Sequence, residues 1–575
     1  MTPVNPALRL KLPIGRARVL LGFMVAGFAL LVGRGLYLQV QQNDFLREKG
    51  ESRYARMLEL PAHRGMITDR QGEPLAISTP VESVWASPAD LRLGSAQRRQ
   101  LALLLDLSEA ELTRRLTGTE REFVYLKRHL PPDIAARVVQ LGIPGVSLKR
   151  EYRRYYPAGE LTAHLLGFTD VDDRGQEGIE LAYEAWLAGK PGSRRVIKDR
   201  LGRVVEDAES VRAPVEGRNL TLSIDRKLQY LAYRELNAAA AAHRARAAGI
   251  VVLDVQTGEV LALVNVPAFN PNNRSRRDPA RARNRVITDL FEPGSTLKPF
   301  TVAAALEARV IGPLSTVQTA PGFLLVGDAR IEDAHPSGLL TVSQVIQRSS
   351  NVGAAKLALA LTREQLWTVL SAVGFGTPPH SGFPGEVGGR LRDYRTWRPI
   401  EQATMSYGHG ISVSLLQLAR AYTVFSNDGV LQPITLFRRE APEAGTRVIA
   451  PGTARAVRAM LETVVQPGGT ALRAQVTGYR VAGKTGTAHK LDGGTYAPDK
   501  YVSSFVGMAP ASAPRLLIAV MIDEPSDGEY YGGVIAAPVF SAVMAEALRM
   551  LSIPPDAPTV TVEPRESVPE VREEV

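Results

Sequence analysis

The most apolar stretch of the chain is Val19–Leu38, which reads VLLGFMVAGFALLVGRGLYL. Twenty helical residues at roughly 1.5 Å each span about 30 Å, the thickness of a bilayer hydrocarbon core. No acidic residue occurs before Asp44, whereas four basic residues precede the stretch: Arg9, Lys11, Arg16 and Arg18. This charge bias predicts a cytoplasmic N-terminus over 1–18, a single transmembrane anchor over 19–38 and export of the rest. Because no A-x-A cleavage site follows, we expect an uncleaved anchor rather than a signal peptide.

Beyond the anchor, residues 44–213 mix short strand-like runs with polar helices such as Ser95–Leu105. Two stretches within it are rich in turn residues, His63–Ala76 and Tyr155–Glu180, but neither combines a nucleophile with a base. The pattern therefore predicts a non-catalytic module that ends near APVEGR, residues 213–218.

From residue 219 onward, short continuous apolar runs alternate with helical patterns. Ile250–Val255 and Glu259–Val266 flank Gln-Thr-Gly, and Tyr501–Met508 and Leu516–Ile522 flank a Pro/Ala/Ser turn, so each pair predicts a hairpin. Helices are expected after Asp225 and up to Met550. Strands at both ends of a helical middle predict an α+β domain over 219–551, with one antiparallel sheet formed from the two ends. The five prolines after Ser552 predict a disordered tail over 552–575.

Composition removes several classes of chemistry. The chain has no cysteine, which excludes disulfides, zinc–thiolate sites and cysteine nucleophiles. Its eight histidines are scattered, so HExxH and HxH metal sites are absent. The net charge of +10 allows an anionic partner, but no nucleic-acid-binding motif occurs. We therefore expect no metal, no cofactor and no nucleic acid.

The candidate nucleophile lies in FEPGSTLKPF, where Ser295 and Lys298 form S-x-x-K. Residues three apart share one face of a helix. A serine hydroxyl is a poor nucleophile until a neighbour accepts its proton, and a lysine can do so where its surroundings favour the neutral amine. The helix N-terminus would present N–H groups to an oxyanion. Pro299 cannot donate a backbone hydrogen bond to the Ser295 carbonyl, so we expect local irregularity.

Two further motifs follow in order. RSSNV contains S-x-N, made by Ser349 and Asn351, and VAGKTGTAHK contains K-T-G-T in a strand-like run. The latter consists of Lys484, Thr485, Gly486 and Thr487. Taken alone, S-x-N is better explained by a turn or a helix cap than by a catalytic site. Lys484 and the two threonines can hold a carboxylate, and Gly486 leaves room for a neighbouring backbone. The three motifs each occur once, separated by 54 and 135 residues.

This combination resembles the penicillin-binding protein and serine β-lactamase superfamily. The anchor, the H-R-G-x-I-x-D-R-x-G-x-x-L-A stretch at 63–76 and the G-x-x-G-I-E stretch at 175–180 resemble class B penicillin-binding proteins, especially the septal cell-division transpeptidases of Gram-negative bacteria. The resemblance implies a transpeptidase domain, an antiparallel sheet flanked by helices, after a pedestal domain. No glycosyltransferase module is visible, which disfavours the bifunctional class A type.

The resemblance also implies D,D-transpeptidation of peptidoglycan stem peptides. Ser295 would attack the D-Ala–D-Ala carbonyl and Lys298 would take its proton. Ser349 and Lys484 would pass a proton to the leaving D-Ala. Substrate binding would fall to Asn351, Thr485, Gly486 and Thr487, and the oxyanion hole to the N–H groups of Ser295 and Thr487. Implied partners are β-lactams as covalent inhibitors, the septal glycosyltransferase and other divisome membrane proteins, on the periplasmic side of the inner membrane at the septum.

Three alternatives stay open. A D,D-carboxypeptidase or β-lactamase of the same superfamily would need a deacylating Glu-x-x-x-Asn, but Asn427, the last asparagine, has Thr423 four residues before it. An elongation-type transpeptidase is disfavoured by Asn351, where that relative often has aspartate. A scaffold or β-lactam-sensing receptor is disfavoured by a cytoplasmic end of about 18 residues. Tyr407 and Gly408, in SYGHG, are candidates for the pocket wall. His409 and His489 are weaker candidates for substrate contact and are otherwise interpreted as surface or packing residues.

Overall fold

The computed structural model describes residues 13–41, 55–117, 123–198, 204–273, 278–492 and 494–557. The first helix, Ile14–Leu36, continues into a π-helical turn at Tyr37–Gln41, and none of its side chains is buried. Ile14–Gln39 is long and apolar enough to cross a membrane, with a mean hydropathy of 2.0. The predicted anchor over 19–38 is therefore compatible with the structure. The predictions for residues 1–12 and 44–54 lie outside the described residues.

The α-helices are numbered in chain order. They are α1 Ile14–Leu36, α2 Ser95–Leu104, α3 Glu109–Leu116, α4 Pro132–Gln140, α5 Ala163–Leu166, α6 Gly178–Ala182, α7 Glu184–Leu187, α8 Arg226–Ala242, α9 Pro279–Ala282, α10 Arg285–Thr288, α11 Lys298–Glu307, α12 Val342–Gln347, α13 Asn351–Leu359, α14 Arg363–Ala372, α15 Pro399–Met405, α16 Leu415–Ser426, α17 Pro451–Glu462, α18 Gly532–Ile535 and α19 Ala537–Met550.

The strands follow the same order. They are β1 Ala55–Leu60, β2 Ile67–Thr68, β3 Pro74–Ala86, β4 Val124–Leu130, β5 Val146–Tyr155, β6 Gly192–Lys198, β7 Val204–Arg212, β8 Leu220–Thr221, β9 Ala247–Asp254, β10 Val260–Val266, β11 Thr316–Gln318, β12 Phe323–Val326, β13 Ala329–Glu332, β14 Leu339–Thr341, β15 Val430–Leu431, β16 Thr446–Arg447, β17 Ala482–Asp492, β18 Thr495–Ala509 and β19 Leu516–Asp523.

The described chain forms two compact units. The smaller unit draws on residues up to 62, 82–149 and 190–215, and the larger one on 63–81, 150–189 and 216 onward. The larger unit thus takes segments from both sides of the boundary predicted at 213–219. The domain limits of 44–213 and 219–551 stay a prediction.

The smaller unit contains an antiparallel sheet with strand order β1-β6-β7. A separate apolar cluster forms where α2, α3 and α4 pack near β4. Its buried members include Val84, Leu101, Leu112, Leu126 and Val138. Leu112 and Val138 lie on amphipathic helices whose other faces are charged, which explains why one face alone is buried.

The larger unit is built on a five-stranded antiparallel sheet with strand order β10-β9-β19-β18-β17. Both predicted hairpins are confirmed, because β9 pairs with β10 and β18 pairs with β19. Every residue of β9, β10 and β19 is buried, as expected for continuous apolar strands covered on both faces. The sheet joins the two ends of the domain, as predicted, and β17 is one of its two edge strands.

Helices cover the sheet. Helices α8 and α19 contact each other and the sheet, and α16 packs on β19. Helix α8 begins after Asp225, whose side chain accepts hydrogen bonds from the N–H groups of Lys227 and Leu228. Helix α19 has Pro538 in its first turn, where a missing N–H costs nothing. Gly532–Met550 is also long and apolar enough to span a membrane, but 56% of its apolar stretch is buried inside the protein.

The disorder predicted from Ser552 onward is wrong for residues 552–557. The Tyr479 hydroxyl donates to the Ile553 carbonyl oxygen at 2.6 Å, and Asp556 accepts from the Arg480 N–H at 2.7 Å. Ile553 also packs against the main core. Proline content indicated a flexible segment, but the apolar contact of Ile553 and several hydrogen bonds, including those from Ser512 to Asp556, hold it. Residues 558–575 lie outside the described residues.

Candidate active site

Ser295 lies in a short 3₁₀ turn, Gly294–Leu297, and helix α11 starts at Lys298. The Lys298 N–H donates to the Ser295 carbonyl oxygen, while Pro299 occupies the first turn of α11. The predicted irregularity is therefore confirmed as a tightening of the turn before the proline. Ser295 is 7% exposed and Lys298 is fully buried.

Close backbone packing holds this turn. Gly294 has φ +55° and Gly408 has φ +87°, so both adopt the conformation that glycine favours. A Cβ on Gly408 would lie 2.4 Å from the Gly294 nitrogen, which no side chain could tolerate. From the other side, the buried Tyr422 hydroxyl donates to the Thr296 carbonyl oxygen at 2.6 Å. Both contacts fix the backbone beside Ser295.

Two lysines converge on one hydroxyl. The Lys298 Nζ lies 2.8 Å from Ser295 Oγ and 3.0 Å from Ser349 Oγ. The Lys484 Nζ lies 2.8 Å from the same Ser349 Oγ and 3.1 Å from Thr485 Oγ1. Lys484 is also fully buried. The structure thus joins residues of all three sequence motifs in one hydrogen-bonded chain.

Ser349 has φ +61°, which places a non-glycine residue in the left-handed region. In this conformation both its carbonyl oxygen and its hydroxyl accept from Lys298 Nζ. The turn is braced by Asp333, which accepts from Ser350 Oγ at 2.7 Å and from the Val352 N–H at 2.8 Å. Asn351 begins α13, and its amide donates to the Glu332 carbonyl oxygen at 3.1 Å.

The K-T-G-T residues lie along the edge strand β17. A Cβ on Gly486 would lie 2.9 Å from the Pro293 carbonyl oxygen and 2.5 Å from Ser504 Oγ. The predicted close backbone approach at Gly486 is therefore confirmed. Thr485 Oγ1 is within 2.8 Å of Thr470 Oγ1, and Thr487 Oγ1 accepts from the Gly532 N–H at 3.2 Å. The strand passes beside the turn that carries Ser295.

A second group of polar side chains borders the serine turn. His409 is 5.1 Å from Tyr407 and 5.8 Å from Tyr496, between ring centroids. Burial lowers the pKa of His409 to about 4, and the positive charges of Lys298 and His489 add to this effect. Burial raises the pKa of Tyr407 to about 12. His489 stacks near Tyr501 and hydrogen-bonds the Ala497 carbonyl oxygen at 2.9 Å.

Sequence reasoning missed several residues of this region. Asp333 has no motif around it, and Tyr422 lies 126 residues from the carbonyl oxygen it contacts. Glu292 stands only three residues before Ser295, so its position in the sequence was a usable signal. Its carboxylate accepts from the Gly410 N–H at 2.8 Å and from the Tyr496 hydroxyl at 2.9 Å.

The arrangement suits acyl transfer through serine. It offers a hydroxyl beside a buried amine, a second hydroxyl between two amines, and the outer edge of the terminal strand β17, along which an extended peptide could pair. No group of three or more His, Cys, Asp or Glu side chains suited to a metal occurs among the described residues. Fold and site together define the class of serine acyl-transfer enzymes that use lysine in place of histidine.

The comparisons with known proteins narrow the class to one family. Residues 248–545 match the penicillin-binding protein transpeptidase domain, and residues 59–222 match the penicillin-binding protein dimerisation domain. The chain belongs to the class B penicillin-binding proteins, which combine these two domains. The predicted fold, with a pedestal before the transpeptidase domain, is confirmed.

Relatives align over nearly the whole chain. Probable peptidoglycan D,D-transpeptidase PenA of Neisseria gonorrhoeae is 44% identical over 95% of this chain and 94% of its own. Peptidoglycan D,D-transpeptidase FtsI of Escherichia coli is 42% identical over 95% of this chain and 93% of its own. Penicillin-binding protein 3 of Mycobacterium tuberculosis, solved with aztreonam, has a TM-score of 0.68 and 28% identity, covering 88% of this chain and 99% of that one.

Proposed function

We propose that this chain is a peptidoglycan D,D-transpeptidase that cross-links stem peptides at the division septum through an acyl-enzyme on Ser295. Support comes from the family, from relatives named for this activity and from the geometry of the site. The observation that carries the residue assignment is the convergence of Lys298 and Lys484 on Ser349, with Lys298 Nζ also 2.8 Å from Ser295 Oγ.

In the first half-reaction, Ser295 Oγ attacks the carbonyl carbon of the D-Ala–D-Ala bond while Lys298 Nζ accepts its proton. The C–O bond forms and the amide C–N bond breaks. Ser349, held between both lysines, passes a proton to the nitrogen of the departing D-Ala. The N–H groups of Ser295 and Thr487 stabilise the oxyanion.

The donor peptide lies along the edge of β17. Its main chain pairs with the strand, Asn351 holds its amide, and Thr485 and Thr487 bind its terminal carboxylate beside Lys484. Gly486 allows the strand to lie close to the serine turn. In the second half-reaction the amine of a neighbouring stem peptide attacks the ester, so that a C–N bond forms, the C–O bond breaks and Ser295 Oγ regains its proton.

The first test is covalent labelling by a fluorescent penicillin. We expect Ser295→Ala to abolish labelling of the purified full chain, since the hydroxyl that forms the ester is gone. The matched control is Ser371→Ala on α14, outside the cluster, which is expected to label like the wild type. Labelling that persists in Ser295→Ala would place the nucleophile elsewhere and refute the assignment.

The membrane position and the partners belong to the same proposal. The exposed apolar helix α1 anchors the chain in the inner membrane, with its N-terminus in the cytoplasm. In that membrane the chain assembles with the septal glycosyltransferase and other divisome proteins. A fluorescent fusion of the full chain should gather at midcell. Deleting residues 1–40 should leave a soluble protein that binds penicillin but does not gather there. Midcell fluorescence without α1 would contradict a positioning role for the anchor.

A further inference from the structure

A cleft of about 460 Å³ opens beside the serine turn. Its floor includes the apolar side chains of Phe291, Val502 and Met521, and Glu292 forms part of its wall. Glu292 is three residues before Ser295, and its carboxylate is held by the N–H of Gly410. The 408–410 loop packs in turn against Gly294. The cleft is therefore connected to the nucleophile through short, rigid backbone contacts.

Charged side chains of both signs surround this cleft, and most of them are paired. Asp289 lies 2.9 Å from Arg283 and 3.0 Å from Arg285. Asp523 lies 2.8 Å from Lys490. Lys490 and Asp523 balance each other, whereas Asp289 is shared by two arginines, so that part of the cleft carries an excess of positive charge.

Glu292 differs from the other carboxylates of the cleft. It is only 9% exposed, and both contacts that hold it come from uncharged donors, the Gly410 N–H and the Tyr496 hydroxyl. No cation among the described residues forms an ion pair with it. Burial raises the pKa of Glu292, against the opposing effect of these two hydrogen bonds. A poorly solvated carboxylate with neutral neighbours, close to a nucleophile, is typical of a site completed by a ligand.

We propose that this cleft receives the acceptor stem peptide, with Glu292 binding its ammonium group and the basic wall binding a carboxylate near that amine. The ligand class is therefore a zwitterionic amino-acid head group. Arg283, Arg285 and Lys490 supply the positive wall. The ammonium of the zwitterion meets Glu292, which is held only by uncharged donors, and its carboxylate meets the two arginines that share Asp289.

This assignment separates the two substrates in space. The donor lies along the edge of β17, and the acceptor approaches from the cleft beside Glu292. Glu292 acts here in recognition and not in the chemical step. The bound ammonium first gives one proton to the Lys298 amine, and the neutral nitrogen then attacks the ester. The inference rests on the proposed function, because an acceptor is needed only if Ser295 forms an acyl-enzyme that an amine resolves.

The test measures how the acyl-enzyme divides between aminolysis and hydrolysis. The full-length chain in detergent is given a thioester donor that mimics acyl-D-Ala, with D-alanine or D-alaninamide as acceptor, and both products are quantified by mass spectrometry. The product ratio depends only on molecules that were acylated, so misfolded protein does not affect it. We expect Glu292→Gln to lower the aminolysis-to-hydrolysis ratio at least tenfold with both amines. In the wild type, the aminolysis-to-hydrolysis ratio with D-alanine should be severalfold higher than the ratio with D-alaninamide.

Two further variants keep the test decisive. Tyr496→Phe removes one donor to Glu292 but retains the charge, so its ratio should fall less than threefold. Glu443→Gln alters a surface carboxylate paired with Arg439 and should match the wild type. An unchanged ratio in Glu292→Gln, or an equal fall in Tyr496→Phe, would overturn the ammonium site. Equal use of both amines would overturn the carboxylate site.

The wild type distinguishes failure of this inference from failure of the proposed function. Wild-type protein that neither labels with fluorescent penicillin nor consumes the thioester refutes the proposed function. Protein that does both, but whose ratio is unaffected by Glu292→Gln, refutes the acceptor site alone.

Discussion

Two clusters of buried positive charge lie in the larger unit, and they are built in opposite ways. In the Arg64 cluster, made of Arg64, Arg154, Asp173, Glu180 and Glu184, cations meet carboxylates. Arg64 lies 2.6 Å from one oxygen of Glu180, and Arg154 lies 2.6 Å from the other. In the lysine pair, Lys298 and Lys484, both ammonium nitrogens approach one uncharged hydroxyl, that of Ser349.

The difference separates a structural role from a chemical one. Opposite charges in a dry setting stabilise each other's charged forms and leave nothing to react. Like charges that share a hydroxyl repel each other, and this repulsion favours the neutral form of one amine. A neutral lysine is what proton transfer from Ser295 requires, so the lysine pair is suited to catalysis and the Arg64 cluster to holding β2, β5 and α6 together.

Lys298→Arg should have the largest effect. Arginine keeps the positive charge but stays protonated, so it cannot accept the Ser295 proton. Loss of a positioned base costs roughly 10²–10⁴-fold, and we expect the penicillin acylation rate to fall by that factor in stopped-flow assays. Lys356→Arg, at an exposed amine on α13 that contacts a carbonyl oxygen, is the control. Near wild-type acylation by Lys298→Arg would remove the contrast between the two clusters.

Glu180→Gln should have the largest effect in the other cluster. It leaves Arg64 and Arg154 buried without the carboxylate they share, and breaking a buried pair costs about 3–5 kcal/mol. Urea denaturation should show this loss of unfolding free energy, while folded protein should still label with penicillin. Glu184→Gln, whose side chain is 34% exposed, should cost less than about 1 kcal/mol. An equal loss of unfolding free energy in both variants would contradict the role of Glu180 as the carboxylate that holds both arginines.

His409, which is buried near Lys298, should make folding sensitive to acid. Its pKa is lowered to about 4, first by burial and then by Lys298 and His489, against 6.5 when unfolded. The unfolded chain therefore binds this proton first, and stability falls as the pH drops from 6.5 toward 4. At pH 5 the loss should be about 2 kcal/mol relative to pH 7.5. In His409→Gln, the unfolding free energy should depend less on pH between 6.5 and 4. A dependence as steep as that of the wild type would contradict the assignment of this effect to His409.

The Arg64 cluster should respond to pH with the opposite sign and a similar amplitude. Burial raises the pKa of Asp173 to about 6, although Arg64 and Arg154 oppose the shift. One Asp173 oxygen is buried without a hydrogen-bond partner, which suits a protonated carboxyl. Its contribution is complete below about pH 4 and is lost as the pH rises through 6, by about 2–3 kcal/mol. Between pH 4 and pH 7, the unfolding free energy of Asp173→Asn should fall less than that of the wild type. A variant whose unfolding free energy falls as steeply as that of the wild type would exclude Asp173 as the titrating group.

The contrast also shows what can be predicted from sequence. The hairpins around 250–266 and 501–522 and the three motifs are local patterns, and the structure has the strands where those patterns place them. The meeting of Arg64 with Glu180 joins residues 116 positions apart, and that of Glu292 with Tyr496 joins residues 204 apart. No periodicity encodes such pairs. The positive φ of Ser349 could not be predicted from the sequence either, because such a φ is usually indicated by glycine or asparagine.

The site and lifetime of the penicilloyl ester test the transpeptidase assignment most directly. The wild-type chain is acylated with penicillin, free drug is removed, and intact mass and peptide mapping are followed over time. We predict one adduct, on the peptide containing Ser295, that persists far longer than the seconds or less of a β-lactamase, because no Glu-x-x-x-Asn follows Asn351 to activate water. An adduct on another peptide, or release over many turnovers per minute, would contradict the transpeptidase assignment.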